Sequence, residues 1–345
     1  MLRKGKLRRS WLCIILILLI ILLIIFANVS VERPRPTAST VTLNATIYLP
    51  TATLKSVLQR NVDQQLQSGN PGGLASLLHP SVTRLTPQND GLVLTLSQSL
   101  LGGLPPLESS ILLKFNVLNS STVQVNAQPL PGSPVGIDGP VTQIKVRQGH
   151  VNGISPTPNC GDSALAAKLG FPISIGQAQQ GKQAKLIQST EMIRQPSADT
   201  AETYVEVTSS ALASLGNQIG SFPVSENLTA QNIRISVENN EVIVRSDISL
   251  WQTGIIVGSS TTHIRPLVDN GNLLLHVIKT DLSIAFLTFS DNSYNQQIQD
   301  QINQQLAGTL SSLFTVTRVA IGKDAHIPCV AKDSLLLTGT TNVLS

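Results

Sequence analysis

Ser163 lies in the run Gly161-Asp162-Ser163-Ala164-Leu165, a setting in which a serine could act as a nucleophile. That chemistry needs a base held in place by a carboxylate. The nearest later candidate, Asp324-Ala-His326, lacks the Asp-x-x-His spacing that such hydrolases use. The run also precedes a predicted short helix, Asp162 to Leu169, in mid-chain rather than following the first strand of a parallel sheet. The five histidines, His79, His150, His263, His276 and His326, are scattered without metal-ligand spacing. Neither a Gly-rich phosphate loop nor a His-Glu-x-x-His stretch occurs. The residues therefore predict no enzyme, no metal and no cofactor. Beyond residue 31 the only cysteines are Cys160 and Cys329. An even pair outside the cytoplasm predicts a disulfide between them, with two free thiols as the alternative.

The elements that would carry these residues are mostly strands. In Val41 to Leu49 every odd position is apolar, the period of a strand with one buried face. Thr51 or Thr53 can cap a following helix, which runs to Gln67 before Gly69-Asn-Pro-Gly-Gly73. Alternating strands are predicted over 91–97, 110–118 and 122–127, with weaker candidates at 141–146 and 151–154. Residues 177–201, rich in Gln, Ser and Lys, read as a connection. The stretch 231–314 is the most regular. Strands Asn232–Glu238 and Glu241–Leu250 flank the turn Asn239-Asn240, and a third runs from Gly254 to Ile264. A fourth, Asn272 to Leu287, follows Asp269-Asn-Gly-Asn272. A helix is predicted over Ser293 to Leu313, with Tyr294, Ile298, Ile302, Leu306 and Leu310 recurring every four residues. Each step of four advances about 40° around a helix, so the stripe winds by about 160°. A winding stripe suits a helix enclosed by a curved, twisted sheet. A weak repeat places Tyr48–Leu58 against Val205–Leu215: a strand end, a cap and a helix start, each followed by alternating strands.

Composition narrows the function. Of 345 residues, 41% are apolar but only 3% aromatic, so the core is aliphatic. Five of the 24 basic residues, Arg3, Lys4, Lys6, Arg8 and Arg9, precede residue 10. The remaining 19 face 20 acidic residues, a net charge of −1, which leaves no basic surface for nucleic acid. Trp11 to Ala27 are all apolar, and Val29-Ser-Val31 extends the run. About 17–25 such residues cross a bilayer. The sequence therefore predicts a basic cytoplasmic tail (1–10), an uncleaved transmembrane signal anchor (11–31) and a linker with two prolines (32–40). An α+β half (41–176), the connection (177–201) and a second half (202–345) would follow, outside the cytoplasm.

From Glu206 to Leu337 the order of elements resembles the tubular lipid-binding (TULIP) superfamily, and in particular its small bacterial LmeA-type and YpmS-type members. The resemblance rests on Thr208-Ser-Ser-Ala-Leu212, the strands around Asn239-Asn240, Val268-Asp-Asn-Gly-Asn-Leu-Leu-Leu275, and the terminal helix 291–314. It implies an α+β fold: a highly curved antiparallel sheet wrapped around long amphipathic helices, as one tube or two tandem halves. It also implies an apolar groove for a phospholipid or other acyl-chain lipid, lined by Leu273, Leu275, Val277, Tyr294, Ile298, Ile302, Leu306 and Leu310. The competing expectation is a structural or interaction module of the cell envelope with a fully packed core. In either case the bilayer would be met through the N-terminal helix.

Overall fold

The computed structural model describes residues 39–67, 80–98, 105–134, 138–146, 149–175, 202–223, 227–250, 253–284, 287–290, 295–303 and 314–341. The chain opens with β1 (Ser39–Pro50), whose odd positions Val41 to Leu49 are buried as their alternation requires. Helix α1 (Thr51–Gln67) follows directly. A meander comes next: β2 (Pro80–Gln88), β3 (Gly91–Gln98), β4 (Leu107–Asn119), β5 (Thr122–Pro129) and β6 (Gly139–Lys145). The first half ends with β7 (His150–Pro156) and β8 (Ser163–Ile175).

The second half begins in the same way, with β9 (Thr203–Thr208) and α2 (Ser209–Ile219), which Thr208 caps by accepting a bond from the Ala211 N–H. Then come β10 (Ser221–Pro223), β11 (Leu228–Glu238), β12 (Glu241–Leu250), β13 (Ile256–Asp269), β14 (Asn272–Ile284) and β15 (Leu287–Ser290). Helix α3 (Asn295–Ile302), β16 (Phe314–Ile321) and β17 (Ser334–Thr341) complete it. Two hairpins turn through residues with positive φ, Asn239 and Asn240 in one and Asn270 and Gly271 in the other. Asn and Gly accept that backbone at the least steric cost.

The strands form three antiparallel sheets. One is β2-β3-β4-β5-β6 and another is β10-β11-β12-β13-β14-β15. The third, β16-β17-β9-β1-β8-β7, draws three strands from each half. β1 runs along β8 for its whole length but meets β9 only at Thr46–Glu206, Ile47–Val205 and Tyr48–Tyr204. One aliphatic cluster joins the inner faces of all three sheets. A smaller cluster, with Tyr48, Cys160, Tyr204, Ile327 and Leu336, covers the opposite face of the shared sheet where the halves meet. Residues 38–345 are one compact unit.

Several expectations are corrected. The protein is dominated by strands, and its three described helices are 17, 11 and 8 residues long. A curved sheet wrapped around long amphipathic helices is not what forms. The strands pair into three sheets, and the helices lie beside strand edges. The predicted helix 293–313 is described only as α3; residues 304–313 lie outside the described residues, as do 293 and 294. The predicted helix 162–169 is strand β8, because pairing with β1 at every residue from Ala45 to Leu49 overrides the helix propensity of Ala-Leu-Ala-Ala-Lys-Leu. β13 passes through Pro266, at which a strand end was predicted. Its pairing with β12 stops at Ile264, so the proline has a strand on one side only, where it is tolerated. The predicted anchor 11–31 lies outside the described residues, and among those described no helix is long and apolar enough to cross a membrane. The transmembrane, signal-anchor and single-pass expectation, and with it the extracytoplasmic placement, has no support among the described residues.

Candidate lipid-binding seam

β14 alternates, and its odd positions Leu273, Leu275 and Val277 turn inward, where they are 1, 4 and 4% exposed. They belong to the main aliphatic cluster. One long edge of β14 pairs with β13 throughout. The other edge meets β15 only from Asp281 to Ile284, and among the described residues the backbone from Asn272 to Thr280 has no partner strand there. Unpaired edge amides need acceptors.

Helix α3 supplies them with side chains. Asn295, Gln299 and Asn303 recur every four residues and so line one face of the helix. The Leu275 N–H donates to Asn303 Oδ1 (2.8 Å), and Asn303 Nδ2 donates back to the Leu275 carbonyl (3.1 Å). The Val277 N–H donates to Gln299 Oε1 (3.1 Å), and the same oxygen lies 3.0 Å from His276 Nδ1. Thr280 Oγ1 donates to Asn295 Oδ1 (2.8 Å). Side-chain amides thus bond to this strand edge as a neighbouring strand would. One residue before each polar position from Gln299 on, Ile298 and Ile302 pack against the core but stay only half-buried. The structure thereby brings Leu273, Leu275, Val277, Ile298 and Ile302 to one seam. Tyr294, Leu306 and Leu310 lie outside the described residues.

The same device recurs twice. On α1, Gln59 Oε1 accepts from the Val82 N–H (2.7 Å) and Lys55 Nζ donates to the Thr83 carbonyl (2.9 Å), along the outer edge of β2. On α2, Gln218 grips Thr42 through both its N–H (2.9 Å) and its carbonyl (3.3 Å), where β1 runs beyond β9. The helices differ in depth. Leu212 and Leu215 of α2 are buried, and a Cβ on Gly216 would come within 2.8 Å of the Ile233 carbonyl oxygen. Leu54 and Leu58 of α1, like Ile298 and Ile302 of α3, remain half-buried. Sequence reasoning followed the apolar stripe of α3 and missed the amide stripe beside it. Its signal was present in the spacing of Asn295, Gln299 and Asn303.

The other singled-out residues sit elsewhere. Cys160 and Cys329 are bonded, with Cα atoms 5.1 Å apart, and tie a loop of each half across the shared sheet. Beside them the buried Glu206 carboxylate accepts from the Tyr48 hydroxyl (2.7 Å) and from the Ala331 N–H (2.8 Å). Burial, and then the bond to Glu206, push the Tyr48 phenol well above its usual range. His326 Nδ1 lies 2.9 Å from Asp162 Oδ2, both exposed. Ser163 does not join them: its hydroxyl is buried, pairs with Thr157 Oγ1 at 2.9 Å and donates to the Leu165 carbonyl at 3.3 Å. His263 stands between Glu241 (2.9 Å) and Asp281 (3.7 Å) on the outer face of the second meander. No group of three or more His, Cys, Asp or Glu side chains among the described residues could hold a metal ion.

No protein-family model matches the chain, and no curated protein matches it. Among solved structures it is similar to P47 from Clostridium botulinum A2, at 8% identity and a TM-score of 0.36, over 86% of this chain and 97% of that one. A score of that size carries no argument about fold or function.

Proposed function

We propose that the protein is a non-catalytic carrier that holds the acyl chains of a phospholipid or another lipid in an apolar groove at the seam of β14 and α3. The observation that carries this reading is how α3 is held. Hydrogen-bonding amides fix it to the strand edge, while Ile298 and Ile302 lie half-open over a wholly aliphatic face. A helix held by its polar side can shift its apolar side to admit a chain without first unfolding. The resemblance of the sequence to the tubular lipid-binding superfamily points to the same ligand class. Ile298→Asp would place a charge where acyl chains run, and lipid bound by the purified full-length protein should fall sharply while the melting temperature holds. Loss of fold in that variant, with no lipid bound by the wild type, would defeat the reading.

One observation favours a second reading, a structural or interaction module with a closed core. Leu273, Leu275 and Val277 are already buried by protein, within a cluster continuous across both halves. Native mass spectrometry of the full-length protein separates the two readings, since only the carrier should retain lipid.

A further inference from the structure

The two meanders have matching registers on their inner faces. Each is counted from the two-residue hairpin before it, Gln88–Gly91 in the first half and Glu238–Glu241 in the second. The pair Leu92–Leu113 then corresponds to Val242–Ile264, and Leu94–Ile111 to Val244–Thr262. In the next row Leu96–Ser109 corresponds to Ser246–Ser260. Both halves therefore place a serine at the same point of the inner wall; the other residues of these rows are apolar in the first half, whereas the second half adds Thr262 and Ser246. In the second half the serine has a partner, with Ser246 Oγ 2.8 Å from Ser260 Oγ. In the first half leucine stands opposite. Ser109 is 1% exposed, and its hydroxyl has no hydrogen-bond partner among the described residues.

A buried hydroxyl without a partner is destabilising, and such groups are rare in native proteins. Alanine would fill the position without that penalty, so the oxygen itself calls for a function. Its surroundings restrict what that is. Val82 and Leu96 share its row, and the buried amide of Gln98 lies on the same face two residues beyond Leu96. The charged side chains of these strands are on the opposite face, where Arg84 pairs with Thr95, Glu108 with Ser97 and Lys114 with Asn126. An ester carbonyl, an alcohol or an amide could bond to Ser109 there. A carboxylate or phosphate would be buried without a counter-charge. Helix α1 flanks this wall with Leu54 and Leu58 half-buried, as α3 flanks its own.

We infer that Ser109 is the polar contact of a lipid site in the first half, and that the lipid group it holds is uncharged. This rests on the carrier reading and adds to it the class of ligand. The test uses radiolabelled 1-monooleoylglycerol and oleate, titrated separately into the full-length protein at pH 8. Monooleoylglycerol should bind about tenfold tighter than oleate, and Ser109→Ala should weaken it by about five- to tenfold, the worth of one hydrogen bond. The melting temperature of that variant without ligand should be unchanged or higher, because an unpaired hydroxyl has been removed. Equal binding of both probes, or undiminished monooleoylglycerol binding by Ser109→Ala, would overturn the inference and leave the carrier standing. Binding of neither probe would overturn both.

Discussion

The seam between the two halves and the seam beside α3 are held in opposite ways. Between the halves, β1 and β9 share only three residue pairs, and the junction is locked by a disulfide, two buried tyrosines and a fully hydrogen-bonded buried glutamate. Beside α3 there is no covalent tie, and Gln299 and Asn303 bond to the strand edge while the apolar side chains stay half-open. A buried network resists separation because opening it exposes groups that have no other partners. A part-buried amide clip has water as an alternative partner. The first arrangement suits a fixed frame, and the second suits a part that moves.

The largest test of that contrast removes the covalent lock. Cys160→Ala with Cys329→Ala should lower stability by about 4 kcal/mol in urea unfolding, with lipid retention per folded molecule unchanged. Lipid loss at full fold would make the central seam part of the binding site and erase the distinction. Next in size, Tyr48→Phe leaves one oxygen of the buried Glu206 without its donor. The expected loss is about 2 kcal/mol, and a value near zero would show that the network is not a lock.

At α3 the effects should be smaller and local. Gln299→Ala should reduce global stability by about 1 kcal/mol or less. Exchange of the Val277 amide with deuterium should accelerate, while that of Val205 in the central sheet should not. Equal protection of Val277 in variant and wild type would mean that the clip does not hold the edge. The smallest effect concerns pH. The two bonds between Asn303 and Leu275 involve no ionisable group and should be indifferent to acid. On the outer face of β11 and β12, the Arg245 guanidinium, aided by Ser236, holds the Glu238 carboxyl down to about 2. Its folded value lies below its unfolded one, so this contribution is present above about pH 4.5 and is lost as pH falls through about 2. The pair is well exposed, and screening limits it to about 0.5 kcal/mol. Melting temperatures between pH 2 and 6 should therefore converge for wild type and Arg245→Ala at the acid end.

What the sequence disclosed was local. The alternation in Val41–Leu49 located β1, because a strand's period is set within a few residues. Thr51 marked the start of α1, although neither it nor Thr53 caps the helix: their hydroxyls donate to the Asp162 and Glu202 carbonyls. The turns at Asn239-Asn240 and Asn270-Gly271 were legible because few residues accept positive φ. The shared central sheet was not, since the pairing of Tyr48 with Tyr204 depends on no neighbouring residue. Nor was β8, whose Ala-rich run has the propensity of a helix and becomes a strand only through β1. At the candidate site, the inward face of β14 could be read from alternation. The role of Gln299 and Asn303 required knowing that the edge of β14 was left open. Ser109 drew no notice in the sequence, because its lack of a partner shows only in three dimensions.

The shared sheet also sets an order of events during synthesis. Tyr48 waits for Glu206, 158 residues later, and Cys160 for Cys329, 169 residues later. At about 5–20 residues per second the first interval lasts about 8–30 s. Throughout it the β9-facing edge of β1 has no partner strand, and Cys160, once made, stays unbonded until residue 329 follows. A chain released before residue 206 never acquires the strand that covers that edge.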